Sequence, residues 1–210
     1  MRSVTRRQAR YHAARSAASR AQVVRTLGRL LDSGEAFTEI SVQRILEEAG
    51  VSRATFYSHF RSKTDLLVQL TDELRQSLLA LVQQWDLRAR EDAADRLARF
   101  FEDVLTIHRD HQGVLTAVRE AASYDDSVGD FYTANLERFD ETVLRILRSE
   151  QAAGATPDDV DASAASRIII WGGAQAIAQH IAVDDGSGDA VFARELAQIW
   201  WHGAFRRPTD

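Results

Sequence analysis

No cysteine occurs in the 210 residues, so neither disulfides nor thiolate chemistry belongs to whatever this chain does. Only two prolines interrupt it and β-branched clusters are few; with 45% hydrophobic and 27% charged residues, this describes a folded, mostly helical chain. Absent too are a run of roughly 18 apolar residues able to span a bilayer and, behind the basic first residues, the apolar segment of a secretory signal. A cytoplasmic protein with no membrane partner is the expectation. The phosphate-binding G-x-x-x-x-G-K-S/T, the zinc-protease H-E-x-x-H and the nucleophile elbow are all lacking, and the His, Asp and Glu residues scatter over amphipathic surfaces. The chain is therefore expected not to be an enzyme and to need no cofactor. His108 and His111 stand three apart, but neither cysteine nor a carboxylate ligand pattern joins them, so no metal site is expected.

What is present is unevenly spread. Residues 1–64 carry 12 Lys and Arg against 5 Asp and Glu, and the remainder 14 against 26, so a net charge of -5 hides a basic end and an acidic body. The basic end suits a polyanion, and the rest would repel one.

Helical periodicity begins with Val23, Val24, Leu27, Leu30 and Leu31 on one face and stops near Ser33–Gly34. Ser41 caps a short second helix, with Ile40 before it and Ile45 at its fourth position, the spacing of a hydrophobic staple. After Gly50 the same grammar repeats: Val51, the cap Ser52, then Phe56. Two stapled short helices joined by a glycine turn form the pattern of a helix–turn–helix, whose second member can enter the DNA major groove. Ser62 with Asp65 opens a long helix striped by Leu67, Leu70, Leu74, Leu78, Leu81 and Trp85. Further helices are expected near 92–108, 112–122, 127–152, 158–183 and 188–206, and no strand signal, repeat or low-complexity linker interrupts them.

The stretch GVSRATFYSHFRSK, residues 50–63, interleaves aromatic and basic residues. Arg53, Ala54 and Thr55 occupy a first helical turn, where free backbone N–H groups favour phosphate. Phe56 and Phe60, four apart, share a core face. Tyr57 and His59 lie away from it and can donate to phosphate oxygens, and Lys63 adds a reaching charge.

With these residues the sequence resembles the TetR family of transcriptional regulators, whose motif runs from an apolar short helix through A-G-V-S to F-Y-x-x-F-x-x-K. Ile45 to Lys63 match it almost throughout, and the likeness is close over residues 20–67. It implies an all-α fold of about nine helices. Residues 1–19 would form a basic, flexible arm, 20–66 a three-helix DNA-binding domain, and 67–210 a helical effector-binding and dimerisation domain. The resemblance also implies DNA contacts from Arg53, Thr55, Tyr57, His59 and Lys63, with Ser41 and Val42 near the backbone at the start of the preceding helix. Its partners would be a palindromic operator, a second copy of the chain and a small lipophilic effector that releases DNA.

For the effector, Tyr132, Leu136, Phe139 and Val143 form one apolar stripe, Leu97, Phe100, Val104 and His108 a second, and Arg167, Trp171 and Ala174 a third wall. The same stripes would serve as ordinary core in a constitutive repressor or architectural DNA-binding protein. The order of FFE near residue 100 and IW near the C-terminus is similar to a subgroup that includes the repressor of ethionamide activation; its lipophilic tunnel would pass Phe100, Val104, Tyr132, Leu136, Phe139, Trp171 and Trp200. Ala93 stands where a bulkier residue is expected there, so ligand shape does not transfer. Helix 158–183 is apolar on two faces, one with Ile168, Trp171 and Gln175, the other with Ile169, Gly173 and Ala176. Gly172 and Gly173 invite close approach of another backbone. The family resemblance implies that Ile169, Gly173 and Ala176, with Trp200 and Trp201 of the last helix, form a four-helix dimer interface; a thick monomer core is the alternative.

Overall fold

The computed structural model describes residues 2–84 and 92–208. Trp85, expected on the stripe of the long fourth helix, lies outside the described residues.

Residues 2–27 contain neither glycine nor proline and are rich in alanine and arginine, both strong helix formers. The first helix, α1, accordingly runs Arg2–Asp32, and the arm expected over residues 1–19 is drawn into it from Arg2 onward. It ends where Gly34 takes a left-handed φ of 91°, its N–H bonded to the Leu31 carbonyl. There follow α2 (Val42–Ala49), α3 (Arg53–Tyr57), α4 (Lys63–Gln84), α5 (Ala93–Asp110), α6 (Gln112–Ala121), α7 (Asp126–Ala152), α8 (Ala162–Arg167), α9 (Gly173–Val183) and α10 (Asp189–Trp200). A wide π turn, Ile168–Gly172, fuses α8 and α9 into one rod, and a second, Trp201–Phe205, extends α10. Ten segments thus make nine rods, all helical, among the described residues. The rod expected from about 158 instead begins at Ala162, because the Asp161 carboxylate accepts from the N–H groups of Ser163 and Ala164 and fixes the cap there.

Contacts divide the chain into two compact units. The first holds residues 1–74 together with 111–129, the second 75–110 with 130–210. A single cut near residue 66 therefore does not separate them: α6 belongs with the first unit, its Val114, Ala117, Val118 and Ala121 buried and its first turn pressed on the end of α1. Gly113 makes that approach possible, because a Cβ there would collide with the Leu31 carbonyl and stand 2.8 Å from the Asp32 nitrogen.

In the first unit Val23, Leu27, Leu31, Ile40, Ile45, Phe56, Phe60, Leu66 and Leu67 are almost wholly buried; both residues of the first staple are among them, and of the second Phe56 is buried and Val51 half-buried. In the second unit Leu97, Phe101, Val104 and Leu105 of α5 pack with α9 and α10, while Val143 and Leu147 of α7 pack with Ala162, Ile169, Ala204 and Phe205. Trp200 and Trp201 border both clusters. At the α9–α10 corner Arg109 grips Asp189 with two hydrogen bonds of 2.6 and 2.7 Å and donates to the Asp184 carbonyl, and His180 bonds the same Asp189 at 2.8 Å.

Candidate functional site

Local hydrogen bonding shapes the α2–α3 pair. Ser41 Oγ accepts from the Arg44 N–H at 3.1 Å, and Gly50, at φ 61°, makes the left-handed turn that ends α2. Ser52 Oγ accepts from the Thr55 N–H at 3.1 Å and lies 2.9 Å from the Thr55 hydroxyl. Ser62 Oγ accepts from the Asp65 N–H at 3.0 Å, and Asp65 accepts in turn from the N–H of Arg61, a box displaced by one residue.

These caps hold α3 with Phe56 inward and its remaining surface open. Arg53, Ala54 and Tyr57 are exposed, Tyr57 by 51%, and Thr55 is half-buried. The Tyr57 ring stands edge-on to Phe56 at 5.2 Å, so the core residue sets the direction in which the phenol projects. Ser41 is exposed and Val42 half-buried at the start of α2. The cation on α2 differs from that on α3: Arg44 is held by Glu48 at 2.6 Å and Glu35 at 3.1 Å, and the Glu48 hydrogen bond raises its pKa above the usual arginine value.

Two expected phosphate contacts have other partners. The His59 ring, beyond the last residue of α3, lies 3.3 Å from the Ser16 hydroxyl of α1, which the sequence reading leaves in a free arm. The Lys63 ammonium turns inward, donating to the carbonyls of Phe37 at 2.6 Å and Ile40 at 2.8 Å over the Phe37 ring. Burial pushes its pKa below the usual lysine value. Those two carbonyls flank the loop that delivers Ser41, so Lys63 fixes the entry to α2.

The expected effector walls divide. Val104 is buried in the α5–α10 cluster with Phe100 half-buried against it, and Val143 is buried in the other cluster. Tyr132, Leu136, Phe139 and Ala174 are half-buried. Arg167 and Trp171 are exposed, Trp171 by 38%, and so make no inner wall. Of the expected dimer face, Ile169 and Gly173 are buried within the protomer and Ala176, Trp200 and Trp201 half-buried, while their neighbours Ile168 and Ile199 are 72% and 64% exposed. The glycine that the sequence offers to a partner backbone receives the indole of Trp200 from its own chain. Both faces of this rod are apolar, so periodicity alone left their assignment open.

His108 Nδ1 bonds the Val104 carbonyl of its own helix, and His111 sits exposed before α6. The group that proximity does assemble is His180, Asp184 and Asp189, ligand atoms within 4.8 Å of one another, with the guanidinium of Arg109 already between the carboxylates. Spacing through a loop and from another helix gave the sequence no sign of it. No helix among the described residues is long and apolar enough to cross a membrane.

Residues 33–70 match the family model of the bacterial regulatory proteins, tetR family. Over 142 residues the chain is 27% identical to the HTH-type transcriptional regulator EthR of Mycolicibacterium smegmatis, spanning 68% of this chain and 65% of that relative's length. It is 22% identical over 134 residues to the nucleoid occlusion factor SlmA of Vibrio atlanticus, covering 63% of this chain and 68% of that protein. A transcriptional regulator from Saccharomonospora viridis in complex with choline superposes with a TM-score of 0.69 at 21% identity, over 90% of this chain and 98% of the other. That structural likeness is one of fold.

Proposed function

We propose, from the premise that the chain belongs to the TetR family, that it is a DNA-binding transcriptional regulator, most simply a repressor, that grips a palindromic operator as a homodimer and is released by a small effector. The observation that carries this reading is the serine-capped α2–α3 pair, with Arg53, Ala54, Thr55 and Tyr57 on the open side of a helix whose other side is locked by Phe56. A helix so held can lie in the major groove and place its first turn against phosphate.

The homodimer is supported by the apolar outward face of the last two rods, Ile168 and Trp171 on one and Val191 and Ile199 on the other. Exposed large apolar residues gain by being covered, and a two-fold pairing covers the same residues on both copies. Two α3 helices related by that axis would then meet an inverted repeat.

For the effector, the second unit offers the half-buried Tyr132, Leu136 and Phe139 on the inner face of α7. The choline complex of the Saccharomonospora viridis protein is a precedent for a small molecule in this fold. Release of DNA requires a ligand that prefers the conformation unable to bind; a coupling of about 1–3 kcal/mol weakens operator affinity roughly 5- to 150-fold.

Selection of DNA from a random-sequence pool by the purified protein tests the reading. An enriched inverted repeat, bound at two protomers per site, is the expected outcome; unselective DNA binding would favour an architectural protein. A thermal-shift screen with and without that DNA then separates an effector-controlled from a constitutive regulator.

A further inference from the structure

Two buried side-chain oxygens lack any hydrogen-bond partner among the described residues, Thr26 Oγ1 and Asp140 Oδ1. Thr26 contributes a neutral hydroxyl. Asp140, itself half-buried, contributes one carboxyl oxygen closed off from solvent, which is costly to leave so unless a donor or a cation satisfies it.

Its place on α7 is specific. Spacing of three and four residues puts Leu136, Asp140, Val143 and Leu147 on one stripe, with Tyr132 and Phe139 along its edge. The C-terminal half of the stripe is closed: Val143 and Leu147 are buried in the cluster with Ile169 and Phe205, flanked by Trp200 and Trp201. The N-terminal half is not, since Tyr132, Leu136 and Phe139 all remain half-buried. The unsatisfied oxygen thus stands where a closed core gives way to an incompletely covered aromatic face.

We infer that Asp140 is the polar anchor of the effector site and that the effector is a lipophilic amine, carrying a protonated nitrogen that donates to Asp140 Oδ1 while its apolar body covers Tyr132, Leu136 and Phe139. This rests on the effector-controlled reading and narrows it: a purely lipophilic ligand would fill the face and leave the oxygen stranded. A site built for a donor rejects the analogue lacking it, because the buried acceptor then goes unpaired. Aromatic faces beside such a nitrogen add to the preference for a cation.

The test uses three probes of one shape, 4-phenylbutylamine, 4-phenylbutan-1-ol and 4-phenylbutanoate, titrated calorimetrically into the full chain and its Asp140→Asn variant, with operator release followed in parallel. The amine should bind at least tenfold more tightly than the alcohol, about 1.4 kcal/mol, and the butanoate should not bind. Asp140→Asn should lose at least tenfold in amine affinity and keep its alcohol affinity within about twofold; that retained binding also shows that the variant is folded. Equal affinities for amine and alcohol, or an amine affinity untouched by the substitution, overturn the assignment. If the alcohol still releases DNA in that case, effector control stands without the charge; if no probe binds or releases DNA, both fall.

Discussion

A Cβ built on Gly173 would lie 2.6 Å from Cζ2 of Trp200, so the indole occupies the space that the glycine leaves. The same indole meets Phe101 edge-on at 4.7 Å, which joins the α8–α9 rod, α10 and α5 through a single ring. Gly173→Ala must therefore push Trp200 off Phe101. Overpacking of this kind costs about 1–3 kcal/mol, against which the helix regains about 1 kcal/mol of propensity. A lowered melting temperature with altered tryptophan fluorescence is expected, and an unchanged melt would show that the ring is free to move.

Ile168 and Ile199 are exposed, so charging them should leave the protomer folded and separate the proposed dimer. For Ile168→Arg with Ile199→Glu, the expected result is dimer association weakened roughly tenfold or more, measured by analytical ultracentrifugation at an unaltered circular-dichroism melt. Trp171→Ala should act in the same direction, because that side chain lies on the outer face.

Tyr57→Phe removes an exposed hydroxyl and keeps the ring that packs on Phe56. Operator affinity should fall by about 1 kcal/mol, the worth of one hydrogen bond, at constant stability. Fluorescence anisotropy with a labelled operator decides it, and no loss would assign Tyr57 to packing alone.

Lys63 distinguishes a pin from a phosphate contact. Lys63→Met should destabilise the first unit by about 2 kcal/mol, since hydrogen bonds from a charged group are lost. As a pin, it should leave the salt dependence of DNA binding unchanged. A phosphate contact would instead reduce the slope of log affinity against log salt by about one.

The grip of Arg109 lowers the pKa of Asp189 below its ordinary value of 3.8, the guanidinium hydrogen bond being the leading cause. A carboxyl with a depressed folded-state pKa contributes stability in full above the unfolded value and loses it as pH falls toward the folded one. Melting temperature should thus decline as pH drops below about 4. In Arg109→Met the neutral-pH stability should fall by about 2 kcal/mol and this acid-dependent component should flatten; an acid limb identical to the parent's would place the transition elsewhere.

Most of the first unit was legible because its signals are local. Ser41, Ser52 and Ser62 with their stapling partners occupy fixed offsets, and Gly50 takes the left-handed turn that its position demands. The start of α1 was not legible, since only the steady helical preference of alanine and arginine carries it back to Arg2. The outer and inner faces of the α8–α9 rod were hidden for a different reason: both are apolar, and a π turn at Ile168–Gly172 adds a residue to the helical repeat. The inward turn of Lys63 depends on two carbonyls more than twenty residues upstream, which no spacing rule contains. Asp140 was passed over because a single acid on a long amphipathic helix reads as surface.

The seating of α6 against the end of α1, through Gly113, reaches into the history open to this chain. Its first unit is written in two passages separated by part of the second. Recombination that transplanted only residues 1–74 would leave behind α6, with its buried Val114, Ala117, Val118 and Ala121, and its seat on the end of α1, so a cassette cut at that point is incomplete. New specificities in such a chain are expected to arise by substitution in place, with the two passages evolving as a pair.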